Sequence, residues 1–325
     1  MEQNSEDRRD SPRVVSLKSL RMPPETGASP RPVGIVAEGE QRLPEVTGAV
    51  VGLDIIFPPI GSCPSTAVTP HGGAIGTADP VQLIFWGSVW QTSLSGLSQQ
   101  FTADVRSILA GPYMSGLRQY GVKRCSFGGS LIVLSPPPPF VPSTFTDATV
   151  QGVVQSLIDQ GTFPEPDEPG GRNLYFIIMP PNTQYQPPPG FPQARGAHSA
   201  FQSGSPIDPD YAWVAWVGNQ SLNNMLSTFG HELAEMCSDP EADAWYVNGA
   251  APGCNEIGDL CNALDGPLNG VNVESYWSNF DNACLIPTAW SLRRTLAGAG
   301  IKLSGKGLLS IQSPIPSLNK WIVNL

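Results

Sequence analysis

Gly230-His231-Glu232-Leu233-Ala234-Glu235 closes a segment whose apolar residues recur at helical spacing, and its reading decides the fold. It is one substitution away from the H-E-x-x-H helix of zinc peptidases, where two side chains four positions apart stand one above the other and bind one metal ion. In that motif the Glu between them polarises the bound water. Here the second ligand position holds a carboxylate, Glu235, which can still ligate zinc but changes the charge of the site. From Ser221 as cap to Cys237, the residues Leu222, Met225, Leu226, Phe229, Leu233 and Met236 follow i, i+3, i+4, i+7 spacing. At about 100° per residue they gather on one side of a helix, and His231, Glu235, Asn224 and Thr228 fall on the other. Glu232 lies about 100° around from His231, from where its carboxylate can reach a metal-bound water. The bland alternative for a His and a Glu at i, i+4 is a solvated surface pair. Against it stands a second acidic cluster, Glu256-Ile257-Gly258-Asp259-Leu260-Cys261, placed where a downstream ligand can fold back on the helix.

Upstream, Val81-Gln82-Leu83-Ile84-Phe85-Trp86 is an apolar run ended by Gly87, the pattern of a buried strand. Residues 94–109 carry Leu97, Phe101, Val105 and Leu109 at helical spacing and stop at Gly111-Pro112. A second strand is expected over 129–134, and Asp147 can cap a helix through Val150, Val153, Val154, Leu157 and Ile158 to Gly161. A third strand follows over 174–179 and a fourth over 211–217, the latter aromatic enough for a sheet edge or a cleft wall. Strand and helix in alternation imply an α/β fold with largely parallel central strands. Residues 1–79 read as a Pro/Gly-rich extension that wraps the surface, stays mobile or serves as a pro-segment, and 80–289 as the core. Residues 290–325, with Arg293, Arg294, Lys302, Lys306 and Lys320 and no acidic residue, read as a basic tail that docks on the acidic core or adds a small strand unit.

A chain of 325 residues that is 40% hydrophobic can bury a substantial core. Only 14% of residues are charged, while Gly and Pro contribute 34 each, so much of the surface is uncharged loop. The net charge of -10 argues against nucleic acid as a partner, since a phosphate backbone requires a basic face. No apolar run approaches the roughly 18 residues of a membrane span, and MEQNSEDRRDSPR at the start lacks the apolar stretch of a secretory signal. Cys63, Cys125, Cys237, Cys254, Cys261 and Cys284 are even in number with no C-x-x-C pair, consistent with disulfides in an oxidising compartment or with buried thiols. Asn219-Gln220-Ser221 is a glycosylation sequon. No G-x-S-x-G elbow, phosphate loop or dinucleotide fingerprint occurs, and Cys237 falls on a different helix face from His231.

HELAEMCSDPEADAWY (231–246), EIGDLCN (256–262), YWSNFDNACL (276–285), LIFWGSVW (83–90), GAHSAF (196–201) and YAWVAWVGN (211–219) together resemble the plant Exordium or phosphate-induced proteins and their bacterial and fungal relatives. The resemblance covers roughly residues 81–289. It implies a single zincin/metzincin-like α/β domain, with a mixed, largely parallel sheet and an HExxE site helix. It further implies His231 and Glu235 as ligands, Glu232 as base, and an extracellular protein. The third ligand is open among Asp259, Glu256 and His198; His71 sits in a glycine loop. With His198 the set leaves net charge on Zn²⁺ to acidify water; with Asp259 or Glu256 two carboxylates neutralise it. Whichever of them does not ligate could stabilise an oxyanion, as His198 would, or orient a ligand. Asp259 could instead cap local structure around a disulfide between Cys261 and Cys284. The expected function is a zinc metallopeptidase acting on a peptide or protein laid along the 211–217 strand. The alternative is a non-catalytic secreted or surface protein with a structural metal, Ca²⁺ included, although calcium takes six or more oxygens and does not select histidine.

Overall fold

The apolar run at 81–86 lies in the middle of a seven-stranded sheet, covered on both faces. The computed structural model describes residues 12–17, 20, 34–37, 49–51, 54–57, 63, 67–134, 142–166, 172–191, 193–203, 210–251 and 253–288. The basic tail expected over 290–325 lies outside the described residues. In chain order the first strands are β1 (Arg13–Ser16), β2 (Gly34–Ala37), β3 (Ala49–Val51), β4 (Asp54–Phe57) and β5 (Thr69–Pro70). Then come β6 (Pro80–Trp86), α1 (Ser95–Ala110), β7 (Ser126–Leu134), β8 (Thr144–Phe145), α2 (Asp147–Asp159), β9 (Leu174–Ile178) and β10 (Gln184–Tyr185). The site region follows with β11 (Ala194–Ser203), β12 (Asp210–Val217) and α3 (Leu222–Ser238). Past α3 lie β13 (Trp245–Tyr246), a 3-10 turn at Asp259–Cys261, β14 (Asp265–Leu268), β15 (Val271–Glu274), β16 (Tyr276–Ser278) and β17 (Ala283–Pro287).

The main sheet has the order β1-β7-β6-β9-β12-β11-β2. From β1 to β12 every neighbouring pair is parallel, while β11 runs antiparallel to β12 and β2 antiparallel to β11. The sheet is therefore mixed and largely parallel, as the alternation of elements requires. Successive side chains of a strand point to opposite faces, and β6 divides accordingly. Leu83 and Phe85 pack toward Phe101 of α1 and Phe229 of α3, whereas Ile84 and Trp86 join Val150, Val153 and Leu157 of α2. Phe229 anchors α3 by meeting Phe176 at 4.5 Å and Phe101 at 6.0 Å between ring centroids.

Two expectations need correction. The 211–217 strand is no edge: β12 is hydrogen-bonded on both sides, to β9 and β11, so no substrate strand can be added to it. Asp147 does not cap α2; Thr146 does, in a capping box with Thr149, which places Asp147 one position inside. The helical stripe of His231 and Glu235 is enclosed, since α3 is buried from Met225 to Ser238. Segments upstream of residue 79 supply both outer strands of the main sheet, β1 and β2, and β4 pairs with β17 in a second sheet. Cys63 is bonded to Cys254 and Cys261 to Cys284; Cys125 and Cys237 are buried thiols with sulfurs 3.1 Å apart. Among the described residues no helix is long and apolar enough to cross a membrane.

Candidate metal centre

Ser221 caps α3 by accepting a hydrogen bond from the Asn224 N–H at 3.3 Å, and the helix carries His231, Glu232 and Glu235 into the interior at 0% exposure. Complete burial removes the solvated-pair reading of His231 and Glu235. Three other elements close over the stripe. β11 brings His198, the 3-10 turn and the residues just before it bring Asp259 and Glu256, and β15 brings Glu274, all at 0–1% exposure.

Each contact has a local cause. The β14–β15 hairpin turns at Asn269-Gly270, both with positive φ (52° and 85°), the conformation that makes Asn-Gly the preferred two-residue hairpin turn. The returning strand sets Glu274 beside the helix, where its Oε1 lies 3.0 Å from His231 Nδ1 and accepts the Ala263 N–H at 3.0 Å. Its Oε2 accepts from the Ser227 hydroxyl at 3.1 Å. With Nδ1–H held this way, His231 turns Nε2 toward Glu235 Oε1 at 3.1 Å and Asp259 Oδ1 at 3.8 Å. Glu235 Oε1 accepts the Asp259 N–H at 2.9 Å, which draws the acidic loop onto the helix. That approach needs Gly258: a Cβ there would lie 2.7 Å from Glu235 Oε1 and 3.1 Å from His231 Cε1.

On the other side His198 stands with Nδ1 3.1 Å from Glu232 Oε2 and 3.5 Å from Glu235 Oε2. Its Nε2 lies 3.4 Å from the Asp239 carbonyl and 3.6 Å from Glu256 Oε1. Several buried atoms in this cluster have no hydrogen-bond partner: His231 Nε2, Glu232 Oε1, Glu235 Oε2, Asp259 Oδ1 and both carboxylate oxygens of Glu256. Buried polar atoms are almost always paired, so this convergence of orphaned lone pairs is an arrangement that a cation could satisfy. Two groups have the spacing to hold one, His231 with Glu235 and Asp259, and His198 with Glu232 and Glu235.

The electrostatics fit the same reading. Among the described residues the ion-pair partners of these carboxylates are the two histidines. Burial pushes Glu232 up to about 7 and, with repulsion from Glu235, Asp259 up to about 8. Burial and repulsion from Glu235 raise Glu256 well above its ordinary range. Burial also opposes ionisation of Glu235, but the adjacent His231 outweighs it and the net direction is downward. For both histidines burial favours the neutral ring, and the carboxylates around them reverse the sign. Imidazole and carboxylate donors together suit zinc, manganese, iron or cobalt better than calcium.

Of the residues singled out in the sequence, His231, Glu235 and Asp259 converge on one point, and Glu232, His198 and Glu256 border it. His71 lies apart, stacked on Tyr246 at 3.7 Å. Glu274 and the Asp239 carbonyl went unforeseen. The Asn269-Gly270 hairpin signal was available to place Glu274, but nothing in its spacing ties it to His231.

Fold and site together define a mixed α/β protein with a buried histidine and carboxylate cluster of metal-ligand geometry. No family model matches the chain. Over 53 residues it is 43% identical to Protein EXORDIUM-like 5 of Arabidopsis thaliana, a stretch that is 16% of this chain and 15% of that protein.

Proposed function

We propose that this protein is a metal-dependent hydrolase of zincin-like plan that acts on peptide bonds, with zinc as the fitting cation. The observation that carries the reading is the convergence of His231 Nε2, Glu235 and Asp259 Oδ1, with Glu274 fixing the opposite nitrogen of His231. A carboxylate on that second nitrogen sets the tautomer and orientation that a ligating histidine needs. When bound, the cation would polarise a carbonyl and make water more acidic. Glu232 is the proton carrier: one oxygen lies 3.1 Å from His198 Nδ1 and the other is unpaired, and burial raises its carboxyl to about 7 in the metal-free cluster, toward the range where it can both accept and return a proton. A peptide reaching the site must contend with β2, which occupies the outer edge of β11 with Gly34 opposite His198.

A second reading is a structural metal in a non-catalytic protein, and the specific observation favouring it is that every candidate ligand is 0–1% exposed. The short similarity to an Exordium-like protein is compatible with it. Elemental analysis of purified protein, with casein cleavage assayed on wild type, His231→Ala and Glu232→Gln, separates the two. The hydrolase reading expects a cation lost in His231→Ala, and cleavage lost in Glu232→Gln while the His231-dependent cation stays. Bound cation without cleavage favours the structural reading, and metal-free wild type sinks both.

A further inference from the structure

We infer that the cluster holds two divalent transition-metal cations, the second one between His198, Glu232 and Glu235, with Glu235 bridging to the first. This rests on the metal reading above and extends it from one ion to two. A neutral imidazole has one donor nitrogen and one acceptor nitrogen. When a neutral His198 carries its proton on Nε2, toward the Asp239 carbonyl at 3.4 Å, Nδ1 is left with a free lone pair. The lone pair of Nδ1 then faces Glu232 Oε2 at 3.1 Å and Glu235 Oε2 at 3.5 Å, three acceptors turned on one another in a fully buried place. Such an arrangement is repulsive unless a positive centre lies among them. The same logic governs His231, whose Nδ1–H is held by Glu274 while Nε2 faces Glu235 Oε1 and Asp259 Oδ1.

The two halves meet in Glu235, which presents Oε1 to His231 and Oε2 to His198. A carboxylate offering one oxygen to each of two histidine sites is a bridging ligand by geometry. Charge points in the same direction. Glu232, Glu235, Glu256, Asp259 and Glu274 are buried with two histidines, and among the described residues no lysine or arginine is paired with them. With all five ionised, one divalent cation leaves three uncompensated negative charges in the interior and a second reduces them to one, which lowers the cost of burying them. The unpaired oxygens of Glu232 and Glu256 are where further ligation would come from. A cation at the second position engages the carboxylate assigned above to proton transfer. Occupancy of that position and hydrolysis at the first therefore exclude each other.

The test is metal stoichiometry. Wild-type protein is dialysed against zinc, freed of excess, and its zinc measured per chain beside His198→Ala and Asp259→Asn. Two zinc ions in wild type, and one in each variant, is the expected result. As each variant could fail to fold, wild-type apoprotein is also titrated with cobalt(II), and two saturating absorption steps are expected. Saturation at one equivalent, unchanged in His198→Ala, overturns the inference and means that a proton holds His198 between the carboxylates, while the single-metal reading survives. Saturation at zero removes the metal reading itself.

Discussion

Glu274 holds His231 by Nδ1, the ring nitrogen opposite the one that faces Glu235 and Asp259. Carboxylates in this position change metal affinity about 10–100-fold when altered. Glu274→Gln is accordingly expected to weaken zinc binding by that factor, measured by competition with a chromophoric chelator. Gly258→Ala tests the other side of the same ring. Its φ is ordinary, so the expected defect is steric: a Cβ at 2.7 Å from Glu235 Oε1 must push the acidic loop off the helix. The variant should fold, keep both disulfides and bind zinc at least about tenfold more weakly, on the scale of a displaced ligand environment. Unchanged affinity would mean that Asp259 does not ligate. These residues differ in how far the sequence discloses them. His231 and Glu235 are visible because two side chains that meet on one face of a helix must recur at a fixed interval. Glu274 and His198 reach the cluster from separate strands, and no spacing rule connects them to it.

The elements were legible where packing imposes a period. β6, α1, β7, α2, β9, β12 and α3 all show one, and their bounds fall within a few residues of the expected ones. β11 shows none. Its sequence ARGAHSAFQS is small and polar, with no β-branched residue, and it becomes a strand because β12 and β2 pair with it on both sides. That strand decides access to the site, since β2 occupies the edge of β11 that would otherwise be open next to His198. Proline removes a ladder donor, and successive residues of a strand aim their N–H groups alternately inward and outward. The double substitution Ile35→Pro and Val36→Pro thus removes an inward donor whichever residue carries it. Loosening β2 should let a chelator extract zinc several-fold faster than from wild type, with the sheet otherwise retained by circular dichroism. An unchanged extraction rate would show that β2 does not guard the cluster.

At the scale of the whole molecule, the cluster couples folding to protons and, on the proposed reading, to metal. In protein stripped of metal, Asp259 moves from an ordinary 3.8 up to about 8 and Glu232 from 4.5 up to about 7, both first of all because they are buried. The folded state therefore keeps protons that the unfolded chain releases near pH 4. Wherever the folded state binds more protons, stability falls as pH rises, so the stripped protein should weaken steadily between about pH 4 and pH 8. The histidines act in the same direction: both are held protonated above 6.5, so their contribution is present below that value and lost as pH rises through the folded one. Glu235 has the opposite sign, because its shift is downward from 4.5, and its contribution is lost only as pH falls below that range. The proposed metal would invert the trend. A cation takes deprotonated carboxylates and neutral imidazoles, so its affinity, and the stability it would add, grow with pH. Thermal denaturation at pH 5, 6.5 and 8, with zinc and with chelator, should give midpoints that lie close together at pH 5 and separate by many degrees at pH 8. A chelated protein as stable at pH 8 as at pH 5 would mean that these carboxylates are not enclosed together in the folded chain.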